Sequence, residues 1–214
     1  VPKGFMDLLN VGDLVYLSSE NDQVKLDQIP QAQSSLISFN PKTGEVLSYV
    51  GGSVFNDSQF DRVRQSYPQS GSVFKPFIYA SALSGGYNPS SLINDAPIIF
   101  EDENLETFWR PENYSGKFYG LTTLREALVQ SINIVSIKLL REIGVKKSSE
   151  TVDNFGFGLD RLPQDLSLAL GSGNFSPAEV ARGFSVFAND GMISDIHYVS
   201  QIKDKNGDII FDHS

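Results

Sequence analysis

Ser72-Val73-Phe74-Lys75 sets a hydroxyl and an amine three residues apart, inside a stretch, QSGSVFKPFIYASAL (residues 69–83), that reads as the start of an apolar helix. A serine hydroxyl is a poor nucleophile until a base takes its proton. Lysine can be that base when burial or a neighbouring cation brings its pKa down from about 10.4 toward neutrality. Positions i and i+3 share a helix face, so Ser72 can offer its oxygen to the Lys75 amine. A helix N-terminus also supplies free N–H groups and the positive end of the dipole, which suit a developing oxyanion, and Gly71 lets a substrate approach closely. The plain alternative is a helix cap followed by a solvated lysine. A second match, Ser200 and Lys203, falls in a strand-like run where i and i+3 point to opposite faces, so it cannot form a pair.

A nucleophile and base of this kind need a further polar element to relay the proton and hold a substrate amide. Ser131-Ile132-Asn133 can supply it. Gln130, Ser131 and Asn133 interrupt an otherwise apolar helical run, where Ser and Asn are unfavourable, and this indicates a break or a functional wall. Two decoys share the Ser-x-Asn pattern. Ser19-Glu20-Asn21 sits in an exposed turn, and Ser172-Gly173-Asn174 reads as a loop ahead of a helix capped by Ser176.

The elements that must position these groups follow from periodicity. VGDLVYL and QVKLDQI are short alternating runs parted by residues 18–22. SSLISFNPKTGEVLSYVGG reads as a hairpin about Asn40-Pro41-Lys42-Thr43-Gly44, stopped by Gly51-Gly52. A helix is expected from about residue 71 to Gly85-Gly86, with Pro76 tolerated in its first turn. Residues 85–120 read as one long irregular loop. A helix then runs from the capping pair Thr123 and Glu126 to Gly144, and another from Ser176-Pro177 with Glu179 to Asn189-Asp190-Gly191. The tail is a hairpin about Asn206-Gly207. Strands, then helices, then strands predict an α+β domain with helices packed on an antiparallel sheet.

Bulk properties exclude several functions. A formal net charge of −9 in 214 residues disfavours a nucleic-acid partner, and no basic run suggests a membrane surface. With no cysteine and two histidines, His197 and His213, disulfides, thiol catalysis and a zinc site are not expected, and no cofactor is called for. Neither histidine suits a Ser-His-Asp triad, so acyl transfer would need another base. No apolar run reaches the roughly 18 residues of a membrane span, and the opening residues lack the pattern of a signal peptide. The chain is expected to be a piece of a longer one.

The serine, the lysine and the later Ser-x-Asn resemble the penicillin-binding transpeptidases. The surrounding stretches SQFDRV, SGSVFKPFIYASAL, FWRPENYSGKFYGLTTLREALVQSINIVSIKLL, FGFG and FSPAEVARGFSVFANDG are similar to consecutive signatures of the class A family, and VGDLVYL to a strand that precedes the domain in its 1a-type branch. The resemblance implies a penicillin-binding/β-lactamase-like transpeptidase fold, incomplete at its C-terminus, over residues 27–214, with residues 1–26 a β segment of the preceding region. It implies a D,D-transpeptidase of peptidoglycan synthesis: Ser72 acylated, Lys75 its base, Ser131 relaying the proton, Asn133 binding the peptide amide of the donor stem. Implied partners are stem peptides, β-lactams and the cell-wall synthesis machinery. The implied location is the periplasmic side of the bacterial cytoplasmic membrane, within a membrane-anchored parent that also carries a glycosyltransferase domain. The loop with Trp109, Arg110 and Tyr114 would wall the cleft, with Trp109 and Tyr114 as packing anchors the alternative.

Two departures stand out. The family's Lys-Thr-Gly strand should follow the second motif by over a hundred residues, whereas Lys42-Thr43-Gly44 precedes the serine and reads as turn chemistry. The third motif is therefore expected beyond residue 214. Just before the serine the chain reads RQSYPQSGSVFKP rather than an arginine-glutamine-proline-glycine run, a change of loop shape. A β-lactamase on the same fold is the weaker enzyme reading, because Ile132 stands where class A β-lactamases carry an aspartate. The reading of a different class is a catalytically incomplete fold that acts as a binding module.

Overall fold

A computed structural model provides the structure, and it describes residues 8–28, 32–102 and 107–213. The chain divides into two compact units, Val1–Ser34 and Ser35–Ser214. In the first, β1 (Tyr16–Glu20) pairs antiparallel with β2 (Gln23–Asp27). Asn21 and Asp22, at φ 51° and 60°, make the tight left-handed turn whose twist matches a hairpin. The turn is thus shorter than residues 18–22, and residues 11–15 are not strand. Asn10 N–H bonds the Asp13 carboxylate and Gly12 sits at φ 106°, which closes a turn there instead. Ile29, the end of the QVKLDQI run, lies outside the described residues.

The second unit carries the expected α+β mixture. Its strands are β3 (Leu36–Phe39), β4 (Val46–Val50), β5 (Leu92–Asp95), β6 (Phe100–Asp102), β7 (Thr107–Trp109), β8 (Gly120–Thr123), β9 (Gln201–Lys203) and β10 (Ile209–Asp212). Among the described residues these form separate antiparallel pairs: β3 with β4, β5 with β8, β6 with β7, β9 with β10. The stretch 85–120 is therefore not one irregular loop. β5 lies in it, and β8 begins at its end. The β5–β8 register, Leu92 to Thr123 and Asp95 to Gly120, brings the two ends of that stretch side by side. Composition hid these strands because each is only three or four residues long and rich in Asn, Asp, Gly and Thr.

The helices are α1 (Lys75–Ser84), α2 (Leu124–Val129), α3 (Asn133–Ile143), α4 (Val145–Asp153) and α5 (Pro177–Ala188). α1 is the centre of the domain. One side puts Phe74, Phe77 and Ile78 against Phe157, Leu168, Phe175 and the α3 residues Ile137 and Leu140. The other puts Tyr79 and Ala82 against Ile93, Leu124, Val135 and Leu139. A helix apolar on all sides has to be covered on all sides. Phe77 stacks or edges against Phe74, Phe155, Phe157, Phe184 and Phe187. Burying a ring as fully as Phe74, Phe77 or Phe157 contributes roughly 1.5–3 kcal/mol. α5 begins as its sequence predicts: the Ser176 hydroxyl accepts from Glu179 N–H, and the Glu179 carboxylate accepts in return from Ser176 N–H. No helix among the described residues is long and apolar enough to cross a membrane.

Candidate active site

Ser72 stands exposed in a single 3-10 turn, Gly71–Phe74, that leads into α1. The turn is pinned from a distance of a hundred residues. Gly71 N–H donates to the Gly171 carbonyl at 2.9 Å, and the Ser70 hydroxyl bonds the carbonyls of Gly171 and Gly173. The approach is so close that a Cβ on Gly171 would lie 2.0 Å from the Gly71 oxygen, while the space above Gly71 itself is open. Gly171 and Gly173, the second of them in the Ser172-Gly173-Asn174 stretch read from the sequence as a loop, therefore hold the Ser72 turn in place. The signal was available in the Gly-Ser-Gly run: Gly171 at φ 71° adopts a conformation that only glycine takes easily.

Lys75 is the first residue of α1 and is 1% exposed. Its amine makes no hydrogen bond to Ser72. It bonds the Ser131 carbonyl at 2.6 Å, the Ser131 hydroxyl at 3.0 Å and the Asn133 side-chain oxygen at 2.8 Å. The three N–H groups of an ammonium are thus matched by neutral oxygens, with no carboxylate among the described residues in salt-bridge contact to hold the proton. Burial accordingly lowers its pKa to about 8.

Ser131 and Asn133 reach Lys75 because the predicted long helix breaks between them. Ser131 N–H bonds Leu128 O and Ile132 N–H bonds Ala127 O, the paired closure of a Schellman motif. Ser131 fills the left-handed position of that motif, at φ 53°, where glycine is usual. α3 starts afresh at Asn133 with no cap from Ile132 before it. Its cap comes from elsewhere: the Asn113 side-chain oxygen accepts from Asn133 N–H at 3.0 Å and from Ile134 N–H at 3.1 Å.

The loop after β7 differs from its reading. Trp109 packs its ring on Phe100, and Tyr114 is fully exposed, so of the two only Trp109 is a packing anchor. The buried member is Asn113, which also donates to both oxygens of the buried Asp95. Sequence reading missed both residues. A trace of them existed in β5, where Asp95 occupies the same inward-facing alternation as Ile93. Lys42-Thr43-Gly44 is a hairpin turn, bonded to Ser194 and His197 and not to the Lys75 cluster. Gly44 is needed there twice over, at φ 79° and with the Asp195 oxygen 1.9 Å from where a Cβ would be.

A buried lysine of lowered pKa, the turn of an exposed serine and a Ser-x-Asn corner thus come together at the head of α1. The penicillin binding protein transpeptidase domain model matches residues 35–213, and the chain belongs to that family. It is 42% identical over 99% of its length to penicillin-binding protein 1A of Pseudomonas aeruginosa and 37% identical over 99% to that of Escherichia coli. It spans 26% and 25% of those curated relatives. The crystal structure of penicillin-binding protein 1A from Haemophilus influenzae superposes with a TM-score of 0.87 at 36% identity, over 92% of this chain and 30% of that one. The PonA1 protein from Mycobacterium tuberculosis in complex with penicillin V shares the fold, with a TM-score of 0.73 at 21% identity over 85% of this chain and 51% of that one.

Proposed function

We propose that this chain carries the nucleophile half of a serine D,D-transpeptidase of peptidoglycan synthesis, with Ser72 the acylated residue. The observation that supports it best is the convergence of the Lys75 amine on Ser131 and Asn133, one helical turn from Ser72. Ser72 Oγ attacks the carbonyl carbon of the penultimate D-alanine of a D-Ala-D-Ala stem, and its proton passes to Lys75. The C–N bond breaks, and the terminal D-alanine leaves with a proton relayed through Ser131. The amine of a neighbouring stem then attacks the ester, takes the acyl group and returns the hydroxyl to Ser72. The neutral amine suits this work: two N–H groups hold the Ser131 carbonyl and the Asn133 side-chain oxygen, the lone pair is left to take the Ser72 proton, and the ammonium so formed donates to the Ser131 hydroxyl. Asn133 would hold the donor's peptide amide. A β-lactam would stop the sequence at the ester.

By the same reading the parent protein is anchored in the cytoplasmic membrane, bears a glycosyltransferase domain and works on the periplasmic side with the cell-wall machinery. The domain boundary read from the sequence, residues 1–26 against 27–214, belongs to this proposal, as does a Lys-Thr-Gly strand supplied by the rest of the parent chain. The test is intact mass after incubation with a penicillin, run on the 214-residue chain and on the parent beside Ser72→Ala. An adduct on the wild type alone is the expected result. Labelling of the parent but not of the short chain would make the short chain a binding fold that needs completing. If neither is labelled, the transpeptidase reading is wrong.

A further inference from the structure

Asn113 is 6% exposed and hydrogen-bonds neither Ser72 nor Lys75, yet its two amide atoms join the fold to the Ser-x-Asn corner. Its nitrogen faces three acceptors: Asp95 Oδ1 at 2.9 Å, Asp95 Oδ2 at 2.9 Å and the Lys117 carbonyl at 2.8 Å. Its oxygen faces the two leading N–H groups of α3. A flipped amide would set oxygen against oxygen and N–H against N–H at every one of these contacts, so Asp95 fixes the orientation. Asp95 is in turn 1% exposed and held by Tyr119 N–H at 2.9 Å.

The orientation is passed on. While Asn113 holds the Asn133 main chain, the carbonyl of Glu112 accepts from the Asn133 side-chain nitrogen at 2.9 Å. The Asn133 side-chain oxygen is thereby turned to Lys75. We propose that Asn113, oriented by Asp95, is a positioning residue for the acyl-transfer site: it sets the first turn of α3 and, through it, the carboxamide that faces Lys75. This rests on the reading of Ser72 and Lys75 as nucleophile and base.

The pair admits a test that simple loss of packing would not mimic. Asn113→Asp keeps an oxygen for the α3 amides but replaces the donor with a second oxygen facing Asp95. Two carboxylates at that separation are compatible only when they share a proton, which restores the missing donor at low pH. Lys138 bonds the carbonyls of Asn94 and Ala96 on either side of Asp95, Lys75 is reached only through Asn133, and Lys117 and Glu112 contribute main-chain oxygens.

The rate of labelling by a fluorescent penicillin is measured on the full parent chain for the wild type, N113D and N113D/D95N, from about pH 5.5 to about pH 8, with Ser72→Ala as the blank. Amide hydrogen exchange at Asn133 and Ile134 is followed in the same variants. N113D is expected to label on the order of 100-fold more slowly than wild type near pH 8, a positioning loss of the size seen when a reacting group is slightly misplaced. That ratio should recover at least about tenfold toward pH 5.5, and N113D/D95N, which relieves the contact with residue 95 but leaves an oxygen facing the Lys117 carbonyl, should restore labelling and exchange protection near pH 8 in part. A ratio that does not change with pH, or unaltered exchange at the two amides, overturns the inference. If the wild type itself is not labelled, the acyl-transfer reading falls, and altered exchange in N113D that D95N reverses then supports the Asp95–Asn113 clamp on its own.

Discussion

Lys75 and Ser131 meet twice: the amine donates to the Ser131 carbonyl at 2.6 Å and lies 3.0 Å from the Ser131 hydroxyl. Both contacts come from one residue in the left-handed region, at the corner between α2 and α3. The Ser72 hydroxyl makes no comparable bond to the amine. The amine is thus oriented by the Ser-x-Asn corner and not by Ser72.

Acylation of Ser72 should rise with pH about a midpoint near 8, following the Lys75 amine. At neutral pH about a tenth of the lysines are then neutral, compared with less than about a thousandth for an ordinary lysine. Lys75→Arg keeps the charge but cannot give up a proton. It should lower the labelling rate by about 10²–10⁴ and abolish the pH dependence. Stopped-flow labelling across pH 6 to 10 measures both. A wild-type midpoint near that of a free lysine would contradict the burial effect.

Stability should depend on the same group. The folded pKa lies below the ordinary lysine value of 10.5, so the unfolded chain binds more protons between about 8 and 10.5. Resistance to unfolding contributed by Lys75 therefore rises with pH across that window, and below it the cost of burying the cation applies in full. Urea melts at several pH values should show this rise in the wild type and its absence in Lys75→Met.

Ser131 separates backbone from chemistry. Ser131→Gly should hold or raise the unfolding midpoint, because a non-glycine residue at φ 53° carries about 1 kcal/mol of strain that glycine escapes. Ser131→Ala keeps the strain and gains nothing. Both remove the hydroxyl and should slow acylation by about 10²-fold or more. Thermal melts alongside labelling rates test the split; a normal rate in either variant would rule out the relay.

Gly183 inverts the usual rule for helices. Alanine in a helix interior is normally favoured over glycine by about 1 kcal/mol. Here the added Cβ would lie 2.8 Å and 2.9 Å from the Phe157 ring and 3.2 Å from the Phe77 ring. Those rings are buried and packed against other rings, so overpacking wins and Gly183→Ala should destabilise by about 1–3 kcal/mol. Chemical denaturation measures this directly; a gain in stability would mean the aromatic cluster can shift.

Local signals carried far in this chain. The capping box at Ser176 and Glu179, the stop at Gly144, the hairpins about Gly44 and Gly207 and the all-round apolar helix at residue 75 each depend on contacts within a few residues, and each was readable. So was the interruption at Ser131, since polar residues in an apolar run conflict with helix. What escaped was distant or weak. The strands of residues 92–123 pair across nearly thirty positions, and their composition favours loops.

The residue types, their spacing and the family they belong to came from the sequence alone: a serine and lysine one turn apart, a polar corner later, and the glycines and caps that bound each helix. Three things were decided only in the tertiary structure. Lys75 turns to Ser131 and Asn133 instead of Ser72, Asn113 of a distant loop caps α3, and the loop of Gly171 and Gly173 clasps the Ser72 turn. All three are hydrogen bonds between segments some 20 to 100 residues apart, satisfied by whichever polar group the packing of apolar helices brings within reach. A local pattern can mark a special loop, as the Gly-Ser-Gly run does, but it does not name the partner; the core makes that choice.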